Sequence, residues 1–204
     1  MRYHILRLWR ATIINNSKKT YMFIGIQSDI MNKRFAVQRN TMWCWAAALQ
    51  MIFRNYGLAV TQEMIVKRTF GVDTWGMLPN KPGDFMHITQ HLNNWGIDRR
   101  GKHYVIKSVL MPGAPPLDVI VEELINKRPV LLSYQSRPRM NHAVVITGAE
   151  LVPEGNSLRM KSLIVRDPSP YPKNLKLNGR REYKPQDILK KAAAYWLVRV
   201  KVTE

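Results

Sequence analysis

The sequence of 204 residues contains a single cysteine, Cys44. One cysteine excludes an internal disulfide, and it also excludes a zinc site built from several cysteines. Long apolar runs are missing too, since stretches such as residues 43–49 fall far short of the roughly 20 residues that a membrane-spanning helix needs. The sequence shows no internal repeat, which argues against a solenoid. At 46% hydrophobic residues, the chain is expected to fold around an ordinary apolar core.

Acidic residues are scarce, with 14 Asp and Glu against 32 Lys and Arg, so the formal net charge is +18. Such an excess is typical of proteins that bind nucleic acid or an anionic membrane surface. The charge lies mostly at the two ends, because residues 1–40 hold eight basic residues and one acidic, and residues 171–204 hold nine and three. The central part is close to neutral and shows no helix–turn–helix or zinc-finger pattern. Direct nucleic-acid binding is therefore kept as an alternative and is not the favoured function.

Residues 1–34 are predicted to form a basic N-terminal arm, followed by one domain over residues 35–204. Arg7 and Arg10 interrupt the first apolar segment, and no small-residue cleavage site follows it, so a secretory signal is not predicted. Within the arm, residues 21–26 favour a short strand. We expect a cytoplasmic protein, or one that a secretion system delivers into a target cell.

Along the remaining chain, helix patterns come first and strand patterns second, an order typical of α+β folds. The first helix is predicted over residues 42–56, capped by Asn40 and Thr41 and ended by Gly57, and it is apolar nearly all round. Further helices are predicted over residues 61–70, 84–95 and 117–126. Strands are predicted over residues 104–110, 129–134, 142–148, 163–166 and 195–200, with a hairpin turn near residues 153–156.

Cys44 is the residue with the strongest chemical potential. A buried free cysteine usually packs as a small apolar side chain, so a core thiol is the competing interpretation. Its place in the first turn of a helix favours a thiolate instead, because unpaired N–H groups and the helix dipole lower a thiol pKa. Gln38 precedes it by six residues, within reach of the sulfur, and His142 and Asp167 each lie at a strand end, where side chains can project into a cleft.

Together these residues resemble the motifs of papain-like cysteine peptidases, in particular the branch of bacteriocin-leader-processing peptidases and bacterial cysteine-protease effectors. The matching motifs cover roughly residues 35–200 and occur in the family's order: Gln38, then Cys44-Trp45-Ala46-Ala47, then Asn141-His142-Ala143-Val144-Val145, then Val165-Arg166-Asp167-Pro168. The resemblance implies a papain-like α+β fold. In that fold an N-terminal helical part carries the cysteine, and a C-terminal antiparallel sheet carries the histidine and the aspartate.

The resemblance also implies roles for four residues. Cys44 would attack a carbonyl carbon, His142 would take the thiol proton and later protonate the leaving amine, and Asp167 would orient the imidazole. Gln38 and the backbone N–H of Cys44 would form the oxyanion hole. No cofactor and no metal are implied.

Three further residues are expected to contact substrate: Trp43, Trp75 and Asn141. Trp43 stands where the processing peptidases usually have a small or polar residue, which favours the effector-like branch. The basic runs at residues 99–102 and at Arg180-Arg181 are either phosphate-binding clusters or solvated surface charge.

The favoured function is a cysteine endopeptidase that cleaves a specific protein substrate, acidic or associated with nucleic acid. A compact protease with basic flanks suits a bacterial toxin or effector, which would require a cognate immunity or inhibitor protein. One alternative uses the same residues for amidase, deamidase or transglutaminase chemistry. Another, of a different class, is a basic nucleic-acid-binding protein without catalysis.

Overall fold

The computed structural model describes residues 21–155 and 157–203. Within this part of the chain it contains seven helices and eight strands. The helices are α1 (Ser28–Arg34), α2 (Cys44–Asn55), α3 (Gln62–Phe70), α4 (Phe85–His91), α5 (Leu117–Ile125), α6 (Pro172–Lys176) and α7 (Pro185–Leu189). The strands are β1 (Met22–Gly25), β2 (Trp95–Ile97), β3 (His103–Pro112), β4 (Val130–Arg137), β5 (Met140–Glu154), β6 (Ser157–Arg166), β7 (Arg180–Tyr183) and β8 (Ala192–Thr203).

The eight strands form one sheet. Seven of them follow the order β2-β3-β8-β4-β5-β6-β7, and β1 pairs with β5 outside this order. Every neighbouring pair is antiparallel. The predicted α+β class with an antiparallel sheet after the first helices is therefore confirmed. The predicted hairpin near residues 153–156 is present as the connection between β5 and β6.

Both faces of the sheet are buried, because neighbouring residues of a strand point to opposite sides. On β4, Leu131 packs in the cluster that contains α2, whereas Val130 and Leu132 pack in a second cluster with α5. Every residue of α2 from Trp45 to Phe53 is buried, as its apolar sequence predicts. The cysteine-bearing helix is thus held centrally between the sheet and its neighbouring helices.

One predicted helix ends clearly earlier in the structure. The predicted helix over residues 84–95 stops at His91, and Trp95 instead begins strand β2. Asn93 explains this end, because its amide nitrogen donates to the carbonyl of Thr89 while its amide oxygen accepts from the backbone N–H of Ser108. The asparagine side chain therefore ties the helix end to β3 and starts the turn into the sheet.

The predicted basic arm over residues 1–34 lies partly outside the described residues. Its described part contains the predicted strand, β1, and a helix that was not predicted, α1. Met31 of α1 is fully buried. Arg166, also buried, donates to Asn32 Oδ1 at 2.7 Å and to the carbonyl of Ser28 at 3.2 Å, so α1 is fastened to the end of β6.

Over residues 21–155 and 157–203, no helix combines the length and the apolar character that crossing a membrane requires.

Candidate active site

Cys44 is the first residue of α2, two residues later than the predicted start of this helix. The N-cap is Trp43, which makes no side-chain capping hydrogen bond, and the backbone N–H of Trp43 donates to the carbonyl of Asn40 in a preceding turn. Thr41, one of the two expected caps, instead accepts from Asn80 Nδ2 at 2.8 Å. The free N–H groups and the positive end of the helix dipole are consequently available to a charge on Cys44.

The sulfur of Cys44 faces His142 near the start of β5. The imidazole and the backbone N–H groups of Ala143 and Trp45 are close enough to the sulfur to affect its ionisation. Burial raises the pKa of Cys44, but the hydrogen bond and the charge of His142 and the two backbone donors outweigh it, so the pKa is lowered. The surroundings of Cys44 therefore favour a thiolate.

Asp167 directly follows the last residue of β6 and completes a line of three side chains. His142 Nε2 lies 2.7 Å from Asp167 Oδ1, and the carboxylate is almost completely buried. Since Nε2 is engaged with Asp167, the imidazole nitrogen available to Cys44 is Nδ1. Burial lowers the pKa of His142, but its hydrogen bonds and charge interactions with Asp167 and Cys44 raise it to about 9. At neutral pH the imidazole is therefore protonated, and its charge favours the thiolate form of Cys44.

The His142 ring also has an aromatic neighbour. Tyr134 lies opposite His142 in the β4–β5 register, and the two rings meet edge to face with centroids 5.9 Å apart. This contact limits rotation of the imidazole about its own side chain.

Asp167 is held by contacts that the sequence did not reveal. Its Oδ1 also accepts from the backbone N–H of Ser169 at 2.9 Å, and its Oδ2 lies 3.1 Å from Arg181 Nε. The buried side chain of Asn174 donates to the main-chain carbonyl of Asp167 at 2.7 Å. Burial raises the pKa of Asp167, but His142, the Ser169 N–H and Arg181 lower it by more. The pKa is therefore below its ordinary value, and the carboxyl group is ionised at neutral pH.

Gln38 lies between the start of α2 and the loop that follows Asp167. Its backbone N–H donates to the carbonyl of Pro168 at 2.9 Å. Its side-chain Nε2 donates to the carbonyls of Asn40 and Thr41 at 3.0 and 2.9 Å, so both amide hydrogens are engaged within this loop. In this conformation the amide does not offer a free hydrogen, and its place in the oxyanion hole stays a prediction.

Gln62, a residue that sequence reasoning did not single out, holds the Gln38 segment from both sides. Its Nε2 donates to the carbonyl of Val37 at 2.9 Å, and its Oε1 accepts from the backbone N–H of Arg39 at 3.1 Å. The same Nε2 also donates to Gln50 Oε1 of α2 at 3.0 Å. Gln62 is 1% exposed, so these bonds are shielded from water.

The three expected substrate contacts are in very different environments. Trp43 is 2% exposed and belongs to the apolar core, with its indole N–H donating to the carbonyl of Pro79 at 3.0 Å. This corrects the expectation that Trp43 presents a face to substrate. Trp75 is 85% exposed, and Asn141 is exposed on β5 next to His142. Their contact with substrate stays a prediction.

The loop that carries Trp75 is fastened to the start of α2. Asn80 Oδ1 accepts from the backbone N–H of Met42 at 3.0 Å, and Trp45 Nε1 donates to the carbonyl of Lys81 at 3.2 Å. These bonds hold the loop beside Cys44.

The two basic runs have internal partners. Arg100 lies 3.3 Å from the buried carboxylate of Asp98, and Arg180 lies 3.3 Å from Glu182. Arg181 faces Asp167, as described above. In the ranges that the structure covers, no three His, Cys, Asp or Glu side chains are grouped as metal ligands.

The arrangement can perform nucleophilic chemistry on a carbonyl group. It combines a thiol activated by an imidazole, an acid that orients the imidazole, and a helix start that favours negative charge. Comparisons with known proteins agree with this chemistry. The sequence profile of the Peptidase_C39 like family matches residues 30–203.

Two solved structures share the fold at low sequence identity. The peptidase domain of Streptococcus ComA, a bifunctional ABC transporter involved in quorum sensing, is 12% identical with a TM-score of 0.51, over 80% of this chain and 96% of that domain. Digestive procathepsin L2 from the larval midgut of Tenebrio molitor is also 12% identical, with a TM-score of 0.52, over 93% of this chain and 71% of that one. The search of curated protein sequences gave no significant match. Since the family profile covers most of the chain, the protein belongs to the Peptidase_C39 like family and is a papain-like cysteine peptidase.

Proposed function

We propose that the protein is a cysteine endopeptidase that cleaves a specific protein substrate with a Cys44-His142-Asp167 triad. The observation that carries the proposal is the short contact between His142 and the buried Asp167 carboxylate, beside a Cys44 thiol whose ionisation the imidazole favours. Two facts support the assignment of Cys44 as the nucleophile: it is the first residue of a buried helix, and the chain belongs to this peptidase family.

The proposed reaction begins with attack of the Cys44 thiolate on the carbonyl carbon of the scissile peptide bond. The carbonyl oxygen becomes an oxyanion next to the backbone N–H of Cys44, which has no acceptor within its helix. His142 gives its proton to the leaving amine as the carbon–nitrogen bond breaks, and a thioester remains on Cys44. Water then attacks the thioester, His142 takes the proton of that water, and release of the acid product restores the ion pair.

Gln38 is proposed as the second oxyanion donor. Because its amide hydrogens bond to the carbonyls of Asn40 and Thr41 in the free enzyme, substrate binding has to draw one of them away. The clamp formed by Gln62 keeps the backbone of Gln38 in place while the side chain changes partner. A donor to an oxyanion typically contributes about 10²–10³ in rate, so Gln38→Ala should lower kcat by about that factor.

The substrate class is a polypeptide, with Trp75 and Asn141 as proposed contacts. The basic ends of the chain suit a substrate that is acidic or bound to nucleic acid. Action as a toxin or effector, restrained by an immunity protein that blocks the cleft, is the biological role that we favour.

Comparison of protein termini tests the peptidase function directly. Protein extracts are treated with the wild type or with Cys44→Ala, and new N-termini are identified by mass spectrometry. We expect a limited set of sites that only the wild type produces. Full cleavage by Cys44→Ala would contradict the proposal. Mass changes of about one dalton or cross-links in uncut substrate would instead indicate deamidase or transglutaminase chemistry, because the same thioester can pass to water or to another amine.

The toxin role has a separate test. Expression of the wild type in a bacterium without the proposed inhibitor should stop growth, and Cys44→Ala should not. Equal growth of the two strains would argue against a toxin and for processing of a protein in its own cell. Salt-dependent nucleic-acid binding that survives Cys44→Ala, with no cleavage by the wild type, would favour the non-catalytic alternative.

A further inference from the structure

Arg181 lies beside the proposed triad although the sequence places it in a basic pair with Arg180. Its Nε is 3.1 Å from Asp167 Oδ2, on the side of the carboxylate opposite to His142. The two oxygens therefore have separate partners, since Oδ1 accepts from His142 and from the backbone N–H of Ser169. A carboxylate with both oxygens engaged cannot rotate without losing a contact.

Arg181 is itself held in place by polar groups. Its Nε donates to Asn174 Oδ1 at 3.3 Å, and its Nη1 donates to the hydroxyl of Tyr183 at 3.4 Å. Asn174 is 3% exposed and also donates to the main-chain carbonyl of Asp167. The loop after β6 and strand β7 thus form one polar cluster around the carboxylate.

We propose that Arg181 is a positioning residue of the triad, which fixes the Asp167 carboxylate toward His142 and supplies a positive charge to the cluster. The inference rests on the proposed peptidase function. The polar contacts of Arg181 are with Asp167, Asn174 and Tyr183, so it acts on the reaction through Asp167.

The positive charge of Arg181 affects the pKa of every titratable group in the cluster in a direction that can be predicted. The charged and titratable groups that face Asp167 are Arg181 and Tyr183 of β7, Tyr134 of β4, His142 of β5 and, through the imidazole, Cys44 of α2. A positive charge lowers the pKa of each neighbouring acid and base. Its removal should therefore move the titrations of Asp167, His142 and Cys44 to higher pH together, whereas a purely structural role would lower the reaction rate and leave the pH profile unchanged.

The single cysteine offers a readout that requires no substrate. We would measure the rate of alkylation of Cys44 by iodoacetamide between pH 4 and 10 in the full chain, and the pH dependence of kcat and KM on a peptide found by the terminus comparison. The acid limb of the pH profile is the low-pH range over which the alkylation rate rises as the thiol loses its proton. For Arg181→Met we expect this acid limb to move to higher pH by about half a pH unit or more. We expect kcat to fall on the order of tenfold or more, with KM little changed, because the imidazole loses its fixed orientation.

Two variants separate charge from geometry. Arg181→Lys keeps the charge and should retain the wild-type acid limb, with kcat between those of the wild type and Arg181→Met. Arg180→Met is the matched control, since neighbouring strand residues point to opposite faces and Arg180 pairs with Glu182. It should leave both profiles unchanged. Thermal unfolding checks that each variant is folded, and Arg181→Gln replaces Arg181→Met if the latter is not.

The alkylation profiles distinguish failure of the Arg181 proposal from failure of the peptidase proposal on which it rests. If wild-type Cys44 is alkylated only in the pH range of an ordinary thiol or above it, the triad proposal fails. If the wild type reacts at low pH but folded Arg181→Met has the same acid limb, the Arg181 proposal alone is overturned. A lower rate with an unshifted pH profile overturns it as well.

Discussion

At the scale of single residues, the proposed chemistry depends on an ion pair between Cys44 and His142. Burial opposes ionisation of Cys44, but the neighbouring His142 and two backbone N–H groups outweigh it, so the pKa of Cys44 is lowered. We predict that His142→Ala shifts the acid limb of Cys44 alkylation upward by one pH unit or more. His103→Ala, at an exposed position on β3, is the control and should leave the limb where it is. An unshifted limb in His142→Ala would mean that the helix start alone activates the thiol.

Gln62 shows how a buried amide outside the triad can act on it. Gln62→Ala leaves the carbonyl of Val37 and the N–H of Arg39 without their partner, in a region shielded from water. We predict a loss of about 1–3 kcal/mol in the free energy of unfolding, measured by urea denaturation, since unsatisfied buried polar groups cost this much. We also predict a lower kcat, because the Gln38 segment is no longer clamped. Loss of stability with an unchanged kcat would limit Gln62 to a structural role.

At the scale of elements, the loop before α4 and the start of α2 form one unit. Asn80 joins them, since it accepts from the backbone of Met42 and donates to Thr41 Oγ1. We predict that Asn80→Ala raises KM several-fold while the free energy of unfolding falls by about 0.5–1.5 kcal/mol, because this part of the loop is exposed. Peptide-cleavage kinetics and urea denaturation measure the two effects.

The matched control for the loop is Asn126→Ala. Asn126 makes a comparable exposed bond, from its amide nitrogen to the carbonyl of Glu122 at the end of α5, and α5 packs on the opposite face of the sheet. This variant should leave KM unchanged. Equal KM values for the two variants would show that the position of the loop does not affect substrate binding.

At the scale of the whole molecule, the triad links stability to pH. The pKa of His142 is raised from 6.5 to about 9 by folding, so its contribution to stability is fully present below about pH 6.5 and is lost as pH rises through 9. Asp167 has a lowered pKa, so its contribution is present above its ordinary range and is lost in acid. We therefore predict that the stability difference between the wild type and His142→Ala, on the order of 1–3 kcal/mol at pH 6, shrinks toward pH 10.

Urea denaturation at a series of pH values measures this difference. His103→Ala again serves as the control, with a stability difference that stays nearly constant over the same range. A difference for His142→Ala that grows with pH would have the opposite sign to the shift of His142 and would contradict the ion pair.

The sequence by itself determined the order of the longer elements and the α+β class, through the apolar helix around Cys44 and the alternating strands. The residues of the proposed triad came from the resemblance of its motifs to those of papain-like cysteine peptidases. The ends of α3 agree with the helix predicted over residues 61–70, because Thr61 caps the first turn with its side-chain oxygen and Gly71 ends the helix with a positive φ, and both act on their immediate neighbours. The short elements β2, β7, α1, α6 and α7 carry too few residues to produce a pattern of their own, and contacts with the sheet stabilise them.

Only the tertiary structure decided which side chains meet across the chain. Trp43, next to the proposed nucleophile in sequence, turns into the core, because the helix begins at Cys44 and neighbouring residues at a helix start point in different directions. Arg181, part of a basic pair in sequence, meets Asp167 because β7 pairs with β6 at the place where the aspartate leaves the sheet. Gln62 reaches the Gln38 segment by the packing of α3 on α2. Such contacts join residues that are distant in sequence, and their distances are fixed only when the sheet register and the helix packing are in place.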